Sequence, residues 1–452
     1  MAEKKGFEPL RRFLDLPVFK TGPFNQTWVF LHFQGQIDYN IIENAMSTFI
    51  RMLAGMISVK VVALIIGPAG VALLGQLKNL ESILLGLANG GINNGITKYV
   101  AEYKADDNAI KLYISNAFKI TLIATFAVAI VLIFGCQQLS RLILLSEEYY
   151  YVFIVFGFTI NLYTLNLLLI SILNGYKQFK KYVIVNISGT IFGLIYSVIL
   201  VVVWGLPGAM INTVTYQSVI FFVTLWMCRK LPWMNKEYFN KQLSRPIIRK
   251  YLGYSAMTLT TLALAPVSRM LLRGYVISNI SATEAGIWEG INSISSMYLS
   301  VITTAFGIYY LPRLSELTNP RDLHNEIIRC YKVFVPILLI ICIAIYLLRQ
   351  FAIWLLFTPK FQPMEGLFAW QLAGDFFKIC SWMLSYIMVA KAQTKMYIST
   401  EIIFTLFYVA IAFFCLQLNG IVGLVQAYFI NYVIYLIAMI LLFRGILIVK
   451  KV

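Results

Sequence analysis

Apolar runs of roughly 20 residues recur along the 452-residue chain, and each is long enough to cross ~30 Å of hydrocarbon as a helix. In hydrocarbon the backbone N–H and C=O groups have only one another as partners, so a span must be a helix or part of a closed barrel. The barrel pattern, segments of ~10 residues with alternating polarity, does not occur here. Composition agrees: 60% of residues are hydrophobic and only 13% charged, and mean hydropathy is +0.76. So few charges cannot coat a water-facing surface of this size.

About twelve spans can be drawn, near 44–66, 74–96, 113–135, 151–173, 183–204, 208–228, 253–277, 285–310, 331–355, 366–390, 397–418 and 421–443. Their connections alternate in character. Those at 67–70, 205–208 and 419–420 are tight turns with almost no charge. The alternate set is basic: twenty-two Lys and Arg fall at 98–111, 177–181, 229–250, 313–332, 391–395 and 444–451, against Arg141, Arg349 and Lys360 on the other side. The positive-inside rule then places both termini in the cytoplasm and requires an even number of spans. The same bias accounts for the net charge of +17 without invoking nucleic acid.

The expected architecture is an all-α polytopic membrane protein of about 12 transmembrane helices. Two six-helix lobes, 41–228 and 253–452, surround a central cavity and are joined by a basic cytoplasmic linker at 229–252. A short internal repeat supports the division: Ala69-Gly70-Val71 precedes a polar-spotted span ending at Lys98, and Ala285-Gly286-Ile287 precedes another followed by Arg313 at nearly the same spacing. Repeated halves about a central site are a common transporter plan. Residues 1–40 stand apart. They carry scattered charge with Pro9, Pro17 and Pro23, no long apolar run, and none of the order of a signal peptide. They read either as a disordered cytoplasmic extension or as an over-long start, with translation beginning at Met46.

Several chemistries are excluded. The six cysteines are scattered without a CxxC pair, and His32 and His324 are the only histidines, so no disulfide frame, metal site or histidine-based catalytic site is expected. No Walker A sequence is present; the nearest approach, Gly90 to Gly95, continues as Ile96-Thr97. HExxH and GxSxG are also missing. No cofactor is expected.

The informative residues are charges inside spans, which cost about 2.5–3.5 kcal/mol at mid-bilayer on insertion scales and usually face an interior cavity. Arg51 and Lys60 lie in the first span, Lys78 and Glu81 in the second, Arg269 and Arg273 in the seventh, Glu289 in the eighth, Asp375 and Lys378 in the tenth. Lys119 and Glu401 fall near cytoplasmic span ends and are set aside. Lys78, Glu81, Ser82, Asn89 and Asn93 share one side of the second helix, and Glu289, Asn292, Ser293 and Ser296 one side of the eighth. Arg51 and Lys60 sit on opposite faces, and Arg51, nearer the cytoplasm, is the one expected to snorkel. A wet, basic cavity lined by the second, seventh, eighth and tenth helices suits an anionic head group, with arginine offering forked donors and lysine a point charge. The competing reading is that Lys78–Glu81 and Asp375–Lys378 are internal pairs that join helices. Gly86-x-x-x-Gly90 and Gly91-x-x-x-Gly95 suggest close helix packing.

Three longer stretches carry a family likeness. Gly67-Pro68-Ala69-Gly70 through Asn94-Gly95-Ile96-Thr97-Lys98-Tyr99-Val100-Ala101 resembles the Wzx-type polysaccharide flippases. So do Gly286-Ile287-Trp288-Glu289-Gly290 through Tyr310-Leu311-Pro312-Arg313-Leu314, and Leu367 through Gly374-Asp375. The similarity runs from about residue 44 to near the C-terminus and is nearest to the branch that handles lipid III, the enterobacterial common antigen precursor, or O-antigen. The resemblance implies the multidrug/oligosaccharidyl-lipid/polysaccharide exporter fold. It also implies alternating-access transfer of an undecaprenyl-pyrophosphate-linked repeat unit to the periplasmic leaflet, with a polymerase and a chain-length regulator as partners. On that view Lys60, Lys78, Arg269, Arg273 and Lys378, with Asn89 and Asn292, would contact substrate, and Glu81, Glu289 or Asp375 would carry a coupling ion. A small-molecule antiporter of this fold would prefer an acidic cavity. A membrane enzyme of the same pathway would need a large external loop, which the short connections leave no room for.

Overall fold

The computed structural model describes residues 36–317, 319–391 and 393–447. Residues 1–35 of the expected N-terminal extension therefore lie outside the described residues, while 36–40 already belong to the first helix. The described chain is helical, without a strand. The long helices are α1 (Gln36–Ala88), α2 (Asn93–Tyr103), α3 (Asp107–Phe134), α4 (Tyr150–Gly175), α5 (Phe179–Cys228), α6 (Arg245–Asn279), α7 (Ala282–Ala305), α8 (Pro320–Leu347), α9 (Phe368–Ala390), α10 (Thr394–Asn419) and α11 (Ile421–Leu442). Several starts follow from capping chemistry. Asp106 accepts from the Asn108 and Ala109 amides at 3.1 and 3.0 Å at the head of α3, and Ser281 accepts from the Glu284 amide at the head of α7.

Among the described residues, eight helices are long and apolar enough to span a membrane. Two of them, α1 and α5, each consist of two arms joined at a single non-helical glycine. The helices α6 and α7 have 35 and 24 residues, long enough to span, but Arg269 and Arg273 in one and Glu289 with its hydroxyl neighbours in the other lower their hydropathy. Counting arms, about twelve crossings result, as the spacing of apolar runs predicts.

The uncharged connections share one construction. Gly67, Gly205 and Gly420 have φ of 65°, 60° and 56°, with ψ of −172°, −131° and −141°, a combination open in practice only to glycine. Three residues on, Gly70, Gly208 and Gly423 press against the preceding helix; a Cβ there would lie 2.8 Å from the Ile66 side chain, 1.9 Å from Leu200 O and 2.0 Å from Cys415 O. One glycine reverses the chain and the next lets the two arms meet.

At the opposite end the second span differs from expectation. Gly90 and Gly91 have φ of 62° and 64°, so the helix stops at Ala88 and restarts at Asn93. These glycines break a helix rather than forming a packing ridge, and Asn89 and Asn93 do not continue the Lys78 stripe.

Two packed cores fill the first half, one around Leu77, Phe153, Phe156 and Met210, the other around Ile96, Ile114, Leu173 and Trp233. A third fills the second half and takes in Ala63, Val71 and Ala72 of α1. The linker is not a free tether. Trp233 is buried and stacks on Tyr176 at 6.1 Å. Lys111 meets Glu237 at 2.8 Å, and Ser115 and Asn116 donate to the Lys241 and Gln242 carbonyls at 2.9 and 3.2 Å. Helix α6 already begins at Arg245, inside the stretch expected as linker. Large apolar side chains such as Phe126, Phe134, Ile199 and Leu406 cover the outer surface. Exposed Trp204, Trp226 and Trp354 stand near span ends, where amphipathic rings favour the membrane interface.

Candidate functional site

The polar residues of the spans divide between two recesses, one in each half, with a buried ion pair on the seam between them.

The first recess has a volume of about 580 Å³ and lies between both arms of α1, α4 and both arms of α5. From α1 come Arg51, Ser58, Lys78 and Glu81; α5 supplies Asn186, Thr190, Ser197, Asn212 and Gln217. Small residues open it: no atom lies within 4 Å of a Cβ built on Gly55. It narrows where Ser58 and Ser197 hydroxyls stand 3.5 Å apart, with Asn212 donating to Ser197 at 3.2 Å. Tyr163 donates to Glu81 at 2.8 Å, so Glu81 binds a tyrosine of α4 and not Lys78. The Asn212 carbonyl oxygen is buried without a partner, a cost that a ligand or water in the recess would remove.

The second recess, about 200 Å³, lies among α6, α7, α9, α10 and α11. Arg269, Asn292, Lys378, Glu401 and Asn431 provide its polar wall, and Trp288, Trp382, Tyr408, Tyr428 and Tyr432 its rings. Lys378 sits over three of those rings, 4.7 Å from Trp382, 5.5 Å from Tyr428 and 5.3 Å from Tyr432, a cation–π cage that substitutes for hydration. Beneath it, fully buried Asp375 accepts from Ser295 at 2.6 Å, from Tyr428 at 2.7 Å and from Tyr298. Asp375 and Lys378 are therefore joined through Tyr428 and not as a direct pair. The Asn431 carbonyl oxygen and Tyr435 hydroxyl are buried and unpartnered at this wall.

Arg273 departs from the expected cavity position. It is fully buried and forms an ion pair with Glu289, donates to Gln76 at 3.2 Å and lies over the Trp288 ring at 5.7 Å. Desolvating a lone guanidinium is prohibitive, so the α7 carboxylate compensates it. Lys60 is also outside both recesses: its ammonium donates to the Trp354 and Phe357 carbonyls, satisfying the end of a short helix at Arg349–Leu356. Arg51, expected at the interface, instead lines the first recess. Asn89 is buried, accepts from Thr121 at 3.4 Å and borders a separate small hollow. Lys119 donates to the Lys241 carbonyl at 2.8 Å. Among the described residues, Arg51, Lys78, Arg269 and Lys378 have no carboxylate within ion-pair distance. No group of three metal-ligating side chains occurs among the described residues.

Sequence reasoning passed over the α5 wall, Asn431 and Glu401. Their signal was helical spacing: Asn186, Thr190, Gly193 and Ser197 recur every three or four residues, and Tyr428, Asn431, Tyr432 and Tyr435 follow the i, i+3, i+4, i+7 pattern of one helix face.

A family model described as "Polysaccharide biosynthesis protein" matches residues 39–318. The chain is 29% identical over 392 residues to the "Lipid III flippase" of Escherichia coli (strain K12), covering 86% of this chain and 94% of that protein, and equally to the one of Shigella flexneri. Among solved structures, the inward-facing conformation of a multidrug resistance MATE family transporter of the MOP superfamily superposes with a TM-score of 0.69 at 16% identity, covering 91% of this chain and 100% of that one. The fold is thus shared with that transporter.

Proposed function

The chain belongs to the polysaccharide biosynthesis protein family, and on that premise we propose that it is a flippase for an undecaprenyl-pyrophosphate-linked oligosaccharide. The cargo is lipid III or an O-antigen unit, carried from the cytoplasmic to the periplasmic leaflet of the bacterial inner membrane by alternating access. It is a transporter and not an enzyme. Both termini and the linker face the cytoplasm, so the hinge glycines Gly67, Gly205 and Gly420 mark the periplasmic end. A polymerase and a chain-length regulator take the delivered units.

One observation carries the reading: four span cations, Arg51 and Lys78 in one recess, Arg269 and Lys378 in the other, have no carboxylate within ion-pair distance among the described residues and border open space. Uncompensated charge in a membrane interior is retained where an anionic ligand visits. In this reading the aromatic recess receives the pyrophosphate, with Asn292 and Asn431 as neutral donors. The amide and hydroxyl wall of α5 receives sugar. The cationic lining disfavours export of cationic drugs. Glu81 or Asp375, each held by a tyrosine, carries the coupling ion. Lys60, Arg273 and Glu289 do not hold the cargo, because their charges are already engaged by protein partners.

Reconstituted vesicles carrying a labelled lipid-linked oligosaccharide test this directly. Lys78→Glu and Arg269→Glu are expected to insert normally and lose transport at least tenfold; normal transport by both overturns the assignment. Complementation of strains lacking either a lipid III flippase or an O-antigen flippase identifies the cargo. An unchanged rate after collapse of the proton gradient removes proton coupling.

A further inference from the structure

The two halves meet most intimately at one level. Arg273 lies six residues before the end of α6, Glu289 seven after the start of α7, Gln76 eight beyond Pro68, and Lys60 seven before Gly67. At 1.5 Å per residue, all four stand about 9–12 Å below the same membrane face. There Arg273 joins Glu289 of α7 to Gln76 of α1, and Gln76 in turn donates to the Met270 carbonyl at 3.1 Å. Lys60 of α1 reaches across to the Trp354 and Phe357 carbonyls. Two glycines bring the backbones together: a Cβ on Gly286 would lie 1.8 Å from Pro68 O, and one on Gly75 would lie 2.9 Å from both Arg273 Cζ and Glu289 Cδ. Toward the linker end, the polar contacts from the first half among the described residues run to the linker and to the first turns of α6, at Lys250 and Tyr251, and not to α7–α11.

We propose that Gln76, Arg273 and Glu289, with Lys60, form a latch that closes the periplasmic side and must part for outward opening. This rests on the transport reading and orientation above. The chemistry suits a joint that opens. A buried ion pair specifies one alignment while adding little net stability, because separation returns both charges to water. The Arg273 Nε is buried without an acceptor, so hydration on opening satisfies a donor that the closed state leaves orphaned. The Lys60 contacts, made to carbonyls, are likewise exchangeable for water.

The test uses the full chain in cells, with the native cysteines replaced by serine and Asn292→Cys as reporter in the second recess, one turn below Glu289. A membrane-impermeant maleimide is applied from the periplasm. The reporter is expected to react slowly in the parent and at least tenfold faster with Glu289→Gln. Gly286→Ala, which wedges the same seam without touching a charge, is expected to do the same. Labelling in inverted vesicles certifies folding of each variant; if one fails to insert, the other decides, and Lys60→Met stands behind both. Equal periplasmic rates in parent and folded variants, or fast periplasmic labelling of the parent, overturn the latch. Labelling needs no lipid cargo, so this result stands apart from any failure of the transport assignment.

Discussion

The Tyr428 hydroxyl stands between Lys378 and Asp375, accepting from the ammonium at 3.1 Å and donating to the carboxylate Oδ1 at 2.7 Å. Three residues apart on α9, the two charges are spaced for direct contact, yet a side chain from α11 occupies that position. The lysine thereby faces the recess while the carboxylate stays beneath it, fixed by Ser295 and Tyr298.

Tyr428→Phe should uncouple them. Asp375 keeps two hydroxyl donors, so the protein remains inserted at a cost of about 1–3 kcal/mol for the lost buried hydrogen bonds. Lys378 loses its acceptor and one of its cage contacts weakens. Transport is expected to fall about tenfold or more, and the flip rate in reconstituted vesicles checks it. An unchanged rate would show that the tyrosine only packs.

Gly55 offers the opposite experiment, since space beside it in the first recess is open. Gly55→Leu should occupy that space without lowering thermal stability, because its Cβ meets no atom and replacing a helical glycine favours the helix by up to about 1 kcal/mol. Transport should nonetheless drop sharply, because the side chain occupies the cargo's volume. Melting of the detergent-solubilised protein and the flip rate are read together; a stable variant with full transport removes the first recess from the pathway.

Gly75→Ala is expected to behave in reverse. Its Cβ would enter the Arg273–Glu289 pair at 2.9 Å, and overpacking costs about 1–3 kcal/mol, exceeding the roughly 1 kcal/mol that alanine gains in helix propensity. The melting temperature should fall, whereas Gly55→Ala, with the same propensity gain and no clash, should not lower it.

How far these features were legible in the sequence depends on their physical origin. The crossings were, because hydrocarbon demands long apolar helices and the hinge glycines mark their ends. The identity of the charged residues was legible, since each is costly in a span. Their pairing was not. Arg273 and Glu289 come together through the crossing of α6 and α7, and Lys60 finds carbonyls nearly 300 residues away, contacts that no helical wheel encodes. The prediction that Arg51 snorkels while Lys60 lines a cavity was reversed for this reason: distance from the span end says nothing of which neighbour stands opposite. Gly90 and Gly91 misled in another way, because small residues at helical spacing serve packing or a break equally well, and only backbone conformation separates the two.

The linker gives a prediction in pH. Lys111 holds Glu237 at 2.8 Å, and this hydrogen bond keeps the exposed carboxyl below the usual carboxylate range. A group lowered in the folded state contributes attachment that is complete above its unfolded value, about 4.3, and is lost only as pH falls through the lower folded value. Between pH 7 and pH 5 the linker should therefore stay fixed, and Glu237→Gln should loosen it equally at both. A spin label at Asn240→Cys, on the exposed part of the linker, reports this in a background without the native cysteines: narrow change across pH in the parent, a uniformly more mobile spectrum in the variant. Loosening of the parent between pH 7 and pH 5 would mean that Lys111 does not hold the carboxyl below its usual range, whereas an unchanged spectrum in Glu237→Gln would mean that the linker is fixed by Trp233 and the Ser115–Lys241 contact alone.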